Sequence, residues 1–166
     1  MKYLWCYETL LGRLTLIEEN GCVYRLLLSG QNPPPGCEVG ETDALAAAAA
    51  QLAEYFAGQR KDFDIPLVLR GTPFQEIVWQ ALQTIPYGET RCYQDIARHI
   101  GRPAAARAVG MACARNPLPV IVPCHRVVSS NGSLTGYIGG QAAKQLLLSV
   151  EQPSPPNVQR LLVDSA

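Results

Sequence analysis

The sequence predicts an α/β protein in which an antiparallel sheet with one helix precedes a helical domain containing a helix-turn-helix. Three observations support this fold class. The opening residues form three apolar runs separated by turn residues, the apolar spacing becomes helical after Arg70, and two short helical segments joined by a glycine-containing turn follow Cys92. We therefore expect domains at residues 1–70 and 71–152, with a flexible tail at 153–166.

The N-terminal half has the pattern of a strand meander followed by a helix. Gly12 and the Asn20-Gly21 pair separate the apolar runs, as expected for turns between antiparallel strands. The segment QNPPPGCEVGE is predicted to be a loop. Thr42 can cap an alanine-rich helix that stops at Gly58, and residues 63–69 are predicted to be extended.

After Arg70, helical periodicity dominates. Thr72-Pro73-Phe74-Gln75 has the form of a capping box with proline at the first helical position, and apolar residues follow at helical spacing as far as Ile85. A last helix, QAAKQLLLSVE, is predicted to end near Glu151.

Two shorter helices between these segments predict a helix-turn-helix. An apolar stripe from Tyr93 to Ile100 ends at Gly101, and Pro103 then opens the helix PAAARAVGMACARN after a connection of only two or three residues. An ordinary helix pair inside a core fits the same spacing. Composition favours the helix-turn-helix, because the small residues around Arg107 would let this helix lie close against another surface.

Charge is distributed unevenly along the chain. The net charge is zero, but residues 1–70 carry six Lys or Arg against nine acids, whereas residues 91–126 carry six arginines against Asp95 alone. By charge alone, a solvated surface explains this basic stretch better than a nucleic acid partner does. The use of arginine throughout strengthens the case for nucleic acid, because a guanidinium group suits phosphate.

The six cysteines include no C-x-x-C pair, so neither a metal site nor a disulfide framework is predicted, and no cofactor is expected. Glu8 and Arg13 interrupt the first residues before an apolar run long enough for a signal peptide. No later run approaches the length of a membrane span. We expect a cytoplasmic protein without a membrane partner.

The run PLPVIVPCHRVVSSNG places Cys124 beside His125 between aliphatic segments. A free thiol has a pKa of roughly 8.5, and burial raises it, so a base must take the proton before the sulfur can react. Adjacent side chains of an extended backbone point apart, so His125 would need a sharp bend or a bridging water. A carboxylate would hold the imidazole best, and the first acid after Cys124 is Glu151.

The alternative is that Cys124 is a core residue, as most cysteines in aliphatic runs are. His125 and Arg126 argue against this interpretation, because polar side chains are costly in a core unless they have partners. Spacing alone therefore predicts a candidate reactive cysteine.

Four segments, in this order, resemble the O6-alkylguanine-DNA alkyltransferases, also called methylated-DNA-protein-cysteine methyltransferases. They are GTPFQEIVWQALQTIPYGETRCY, AAARAVGMACARNPLPVIVPCHRVV with its acceptor signature PCHRV, GYIGG and LLLSVE. The resemblance is strong from Gly71 to Glu151. It implies a ribonuclease-H-like N-terminal domain and a protein that repairs DNA by moving the alkyl group of O6-alkylguanine, and of O4-alkylthymine, to its own cysteine in one turnover.

The resemblance also implies roles for individual residues. Cys124 would accept the alkyl group, and His125 and Glu151 would form a water-mediated relay that makes the thiolate. Asn116 would support the active-site turn. Tyr93 would assist rotation of the phosphate and protonate the departing guanine oxygen.

Further roles concern the partner, which would be double-stranded DNA bound through the minor groove by a monomer. Arg107 would fill the gap left by the flipped base. The DNA-binding set is then Arg107, Tyr93, Ala106 and Arg126. The base pocket is expected to consist of Val127, Tyr137, Ile138 and Met111.

Two departures and two alternatives accompany the resemblance. Ile138 is bulkier than the small residue often found after the family's Gly-Tyr, and the N-terminal half has no histidine for the zinc site of some members. A sensor that binds lesions without repairing them is the first alternative, although such relatives lack the cysteine that Cys124 supplies. A Cys/His hydrolase with multiple turnovers is the second.

Overall fold

A computed structural model describes residues 1–132 and 136–152. Its strands are β1 (Lys2–Thr9), β2 (Gly12–Glu19), β3 (Cys22–Leu27), β4 (Cys37–Val39), β5 (Arg91–Cys92) and β6 (Val127–Val128). Its helices are α1 (Asp43–Phe56), α2 (Pro73–Leu82), α3 (Tyr93–His99), α4 (Ala106–Ala114) and α5 (Gln141–Glu151), with a 3-10 turn at Cys124–Arg126. The predicted fold class is confirmed. The tail expected at 153–166 lies outside the described residues.

A four-stranded sheet in the order β3-β2-β1-β4 forms the N-terminal half. The predicted meander is confirmed, with Gly12 at positive φ where β2 begins and Asn20 and Gly21 at positive φ in the turn between β2 and β3. Strand β4 corrects the prediction of a loop, because it pairs in parallel with β1. Three mostly exposed residues after a proline run show no alternation, so only the pairing with β1 makes them a strand.

Helix α1 covers this sheet. Thr42 caps it as predicted, accepting a hydrogen bond from the backbone N–H of Leu45. Its buried residues recur at helical spacing: Leu45, Ala48, Leu52 and Tyr55. Its last turn therefore points Tyr55 into the protein, toward the C-terminal half.

Helix α2 has both hydrogen bonds of the predicted capping box between Thr72 and Gln75. The indole N–H of Trp79 donates to the carbonyl of Ala112 at 2.9 Å and so ties α2 to α4. A continuous buried cluster extends from the sheet residue Leu14 to Leu147 of α5. Within residues 1–132 and 136–152, no helix is long and apolar enough to cross a bilayer.

The helix-turn-helix consists of α3 and α4, but α4 begins three residues later than predicted. Gly101 adopts φ +76° and ends α3, and the backbone N–H of Ala105 then donates to the carbonyl of Arg102 in a further turn. Pro103 lies in this turn rather than at the start of α4, which begins at Ala106. The longer connection places Ala106 and Arg107 in the first turn of α4.

Candidate active site

Cys124 begins a tight turn. Val120 has φ +75°, a strained conformation for a β-branched residue, and the chain then enters the 3-10 turn at Cys124–Arg126. The chain therefore bends at Cys124, which is one of the two arrangements that the sequence left open. Val127 leaves this turn in β6, which pairs with β5 just before α3. The turn is thus fastened to the start of the helix-turn-helix.

Asn116 supports the turn from inside. Its side-chain amide N–H groups donate to the carbonyl of Val122 at 2.8 Å and to Sγ of Cys124 at 3.1 Å, while its oxygen accepts from the backbone N–H of Leu118 at 2.9 Å. All three groups are buried, so each bond replaces one that water would otherwise supply. Asn116 both holds the turn and donates to the sulfur.

Cys124 is 3% exposed. Burial raises the pKa of its thiol to about 11, and the hydrogen bond from Asn116 and the positive charge of Lys144 oppose that rise. At neutral pH the group is therefore a thiol, and it must lose a proton before it can act as a nucleophile.

The candidate acceptor for that proton is His125, which forms a buried pair with Glu151. Nε2 of His125 lies 2.6 Å from Oε2 of Glu151, and both side chains are 0% exposed. Arg126 adds hydrogen bonds of 2.8 Å to Oε1 and 3.1 Å to Oε2, and the backbone N–H of Gly88 donates to Oε1 at 3.2 Å. Burial raises the pKa of Glu151, but the hydrogen bonds from His125 and Arg126 outweigh it and lower the pKa to about 2.

The anionic Glu151 fixes the tautomer of His125. A carboxylate only accepts, so Nε2 of His125 carries the proton and Nδ1 is left as the base. Burial lowers the pKa of His125, which keeps the imidazole neutral. Among the described residues Nδ1 is buried without a hydrogen-bond partner, and no direct bond joins it to Cys124. A bridging water stays the prediction for the proton route.

A groove of about 790 Å³ lies over α4. Its lining includes Tyr93, Ala106, Arg107, Gly110, Met111 and Gly136. Arg107 is exposed there, and Tyr93 is half-buried. Burial raises the pKa of Tyr93 to about 12, with smaller contributions from Cys113 and Cys124. Cys124 is not among the residues that line this groove.

Two family models cover almost the whole chain. Residues 2–69 match the ribonuclease-like domain of 6-O-methylguanine DNA methyltransferase, and residues 73–153 match its DNA binding domain. The chain belongs to this family. The resemblance predicted from the acceptor motif is confirmed, and with it the ribonuclease-like character of the N-terminal half.

Members of the O6-methylguanine DNA methyltransferase family from several organisms are similar to this chain. The constitutive methylated-DNA–protein-cysteine methyltransferase of Bacillus subtilis is 50% identical over 161 residues, which are 93% of this chain and 98% of that protein. The protein of that name from Mycolicibacterium paratuberculosis is 50% identical over 149 residues, 88% and 90% of the two chains. A Mycobacterium tuberculosis member solved in complex with DNA is 45% identical, with a TM-score of 0.86 over 90% of this chain and 92% of that one.

Arg126 corrects the predicted DNA-binding set. It is 6% exposed, its guanidinium donates to both oxygens of Glu151, and its third contact is the carbonyl of Ile85 at 2.7 Å. Separating a buried charge from its partner costs several kcal/mol, so the Arg126 guanidinium does not reach a DNA phosphate in this structure. In this member of the family, Arg126 serves the Glu151 carboxylate.

The four residues expected to form one base pocket are not brought together. Val127 and Tyr137 are both buried. Burial raises the pKa of Tyr137, and a charge on Cys124 adds to that rise, which places Tyr137 near the sulfur. Ile138 instead lines a separate cavity of about 380 Å³ that also includes Asn116. Met111 is 57% exposed and lines the open groove.

Two residues of the site were missed from the sequence. Lys144 is buried, and its ammonium donates to the carbonyl of Val127 at 2.5 Å. Helical spacing could have identified Lys144, because Lys144, Leu147 and Glu151 share the buried face of α5. Tyr55 had no such signal, because a tyrosine on an amphipathic helix is an ordinary core residue.

The buried pair predicts loss of stability in acid. The lowered pKa of His125 means that the unfolded chain takes up a proton first, so stability falls as the pH drops below about 6.5. The lowered pKa of Glu151 gives a second loss between about pH 4.5 and 2. We expect urea unfolding to show a falling free energy of unfolding from pH 7 to 3. Glu89→Gln, which removes an exposed carboxylate, should not alter this profile. A flat profile would contradict the expectation.

Proposed function

We propose that this protein repairs DNA by transferring the alkyl group of O6-alkylguanine to Sγ of Cys124, once per molecule. The observation that supports this best is the buried Cys124 thiol, held by Asn116 and beside a His125–Glu151 pair whose free ring nitrogen is available as a base. The names of the relatives, methylated-DNA–protein-cysteine methyltransferases, describe methyl transfer from DNA to a protein cysteine in those proteins.

The first step is removal of the proton from the thiol. The Cys124 proton passes through a water to Nδ1 of His125, and the resulting imidazolium is stabilised by the Glu151 carboxylate at 2.6 Å. Lys144 lowers the pKa of the Cys124 thiol by its charge, and the hydrogen bond from Asn116 acts in the same direction. The thiolate is then a strong nucleophile in a site that excludes bulk water.

The second step is displacement at carbon. The sulfur attacks the alkyl carbon, the bond from that carbon to O6 breaks, and its electron pair stays on the guanine, which takes a proton. The hydroxyl of Tyr93 is assigned to this proton transfer. The product is a thioether, which water cannot cleave as it cleaves a thioester. The thiol is therefore not regenerated, and each molecule acts once.

The partner is double-stranded DNA, which a monomer binds through the minor groove with α4. Ala106 and Gly110 add little side-chain bulk to the groove face of this helix, which favours close approach to a backbone at these two positions. The exposed Arg107 lies in the first turn of α4, where it can occupy the space of a flipped nucleotide. O4-alkylthymine is a second substrate of the same site.

Intact-protein mass spectrometry tests the reaction. After incubation with duplex DNA containing O6-methylguanine, we expect the protein mass to rise by one methylene, with at most one methyl group removed per protein molecule. Removal of more lesions than there are protein molecules would favour a hydrolase. Tight binding with the lesion intact would favour a sensor.

Arg107→Ala is expected to separate base flipping from chemistry. Extruding a base from the duplex costs a few kcal/mol, and the arginine offsets part of that cost. We expect the rate with methylated duplex to fall by about tenfold or more, while the rate with free O6-benzylguanine changes by less than about twofold. Arg13→Ala, which removes an exposed arginine on β2, is the control and should alter neither rate. Equal losses with both substrates would contradict the role of Arg107.

A further inference from the structure

Helix α1 of the N-terminal half brings Tyr55 into the acceptor site. Its hydroxyl donates a hydrogen bond of 2.5 Å to Oε2 of Glu151, and the phenol oxygen lies 3.4 Å from Nε2 of His125. The side chain is fully buried, although it precedes these partners by 96 and 70 residues. The His125–Glu151 pair therefore has a third partner, Tyr55, which comes from α1 and lies outside both the acceptor motif and α5.

Aromatic neighbours hold the Tyr55 ring in place. The ring centroids of Phe56, Phe63 and Tyr87 lie 5.5, 5.4 and 6.2 Å from its own, and Phe56 and Tyr87 meet it edge-on. Packing of this kind restricts a side chain to one rotamer. The direction of the hydroxyl is thus set by the packing around α1.

Oε2 of Glu151 accepts from three donors: the hydroxyl of Tyr55, Nε2 of His125 and the guanidinium of Arg126. Burial, followed by the charge of Glu151, raises the pKa of Tyr55 far above its ordinary value of 10. The phenol therefore stays protonated and always donates. A charge-assisted bond of this kind is stronger than a neutral one and fixes the carboxylate.

We propose that Tyr55 is a positioning residue for the acceptor site, which holds Glu151 in the orientation that accepts the proton of His125 Nε2 and leaves Nδ1 as the base. This inference rests on the proposed alkyl transfer to Cys124. It makes the reactivity of the C-terminal half depend on the packing of α1, because the hydroxyl reaches Glu151 only while α1 is in place.

Loss of the hydroxyl changes the charge that His125 experiences. With one donor fewer on Oε2 of Glu151, more of the negative charge faces the imidazole, and the pKa of His125 rises. Neutral His125 is the form that accepts the proton of the thiol, so the acid limb of the rate profile moves to higher pH. Among the described residues, Arg126, Lys144 and Tyr87 are further charged or titratable groups that act on Tyr55 or His125.

Tyr55→Phe tests the proposal, because it removes the hydroxyl and keeps the ring. We expect the single-turnover rate with free O6-benzylguanine to fall about tenfold at neutral pH, as for one charge-assisted hydrogen bond in a coupled network, and the acid limb to shift upward. Tyr24→Phe is the matched control, since Tyr24 is a buried tyrosine of the same half in a separate cluster with Leu4. It should follow the wild-type profile.

Each outcome separates this inference from the proposed function. A wild-type protein that transfers no alkyl group defeats the proposed function itself. A wild type that transfers while Tyr55→Phe keeps the same pH profile, with or without a lower rate, overturns the positioning role. If Tyr55→Phe does not fold, the proposal is tested by NMR of the wild-type protein. A slowly exchanging, downfield Tyr55 hydroxyl proton that contacts the His125 ring is expected, and rapid exchange of that proton overturns the proposal.

Discussion

Cys124→Ser is expected to bind methylated duplex DNA and to remove no methyl group. The hydroxyl of serine has a far higher pKa than a thiol, and the His125–Glu151 pair that suffices for a thiol cannot make an alkoxide in this buried site. The side chain is similar in size, so the turn held by Asn116 stays intact. We expect the intact mass to remain that of the unmodified protein and the transfer rate to fall below detection.

Cys113→Ser is the matched control for this loss. Cys113 is a second buried cysteine, on α4, and burial raises the pKa of its thiol. This variant should gain one methylene with the stoichiometry of the wild type. A methyl adduct on Cys124→Ser, or loss of transfer in a folded Cys113→Ser alone, would show that a different cysteine is the acceptor.

Glu151→Gln is expected to impair both folding and reaction. The amide keeps the shape but removes the charge opposite the guanidinium of Arg126, which is 6% exposed. Removing one partner of a buried ion pair costs about 3–5 kcal/mol, because the remaining charge is uncompensated. The His125 imidazolium also loses its stabilising anion, so we expect the transfer rate to fall by roughly 100-fold or more. Urea unfolding and single-turnover transfer to the folded variant measure the two effects.

Glu41→Gln provides the comparison. Glu41 also accepts a hydrogen bond from a tyrosine, Tyr7 at 2.9 Å, but at the surface of the sheet. Its replacement should change the free energy of unfolding by less than about 0.5 kcal/mol and leave transfer unaltered. Unfolding of Glu151→Gln at the same urea concentration as Glu41→Gln would contradict the expectation that the buried Glu151 carboxylate stabilises the fold.

Local patterns were sufficient for most of the helices. The capping box at Thr72 and the cap at Thr42 predicted where α2 and α1 begin, because capping depends on residues three positions apart. The start of α4 was predicted wrongly at Pro103. Proline is equally suited to the first turn of a helix and to the turn before it, and the hydrogen bonds around Arg102 decide between them.

The acceptor site was predictable only in part. The motif around Cys124 predicted the candidate nucleophile and its neighbour His125, and the final helix predicted Glu151, which the structure places against His125. The same resemblance placed Arg126 in the DNA-binding set, whereas the structure shows it buried against Glu151. The direction of the Arg126 side chain depends on the 3-10 turn that contains it and on Glu151, the partner that α5 places beside it. Neither can be read from the motif alone.

The sequence by itself determined the family, the fold class and the identity of the candidate nucleophile, since these depend on local periodicity and on motifs of adjacent residues. Only the tertiary structure decided which groups surround that nucleophile. Tyr55 and Glu151 are 96 residues apart, yet they are joined by a hydrogen bond. Contacts at that separation follow from how α1 and α5 pack on a shared core, and no spacing rule within either helix encodes them.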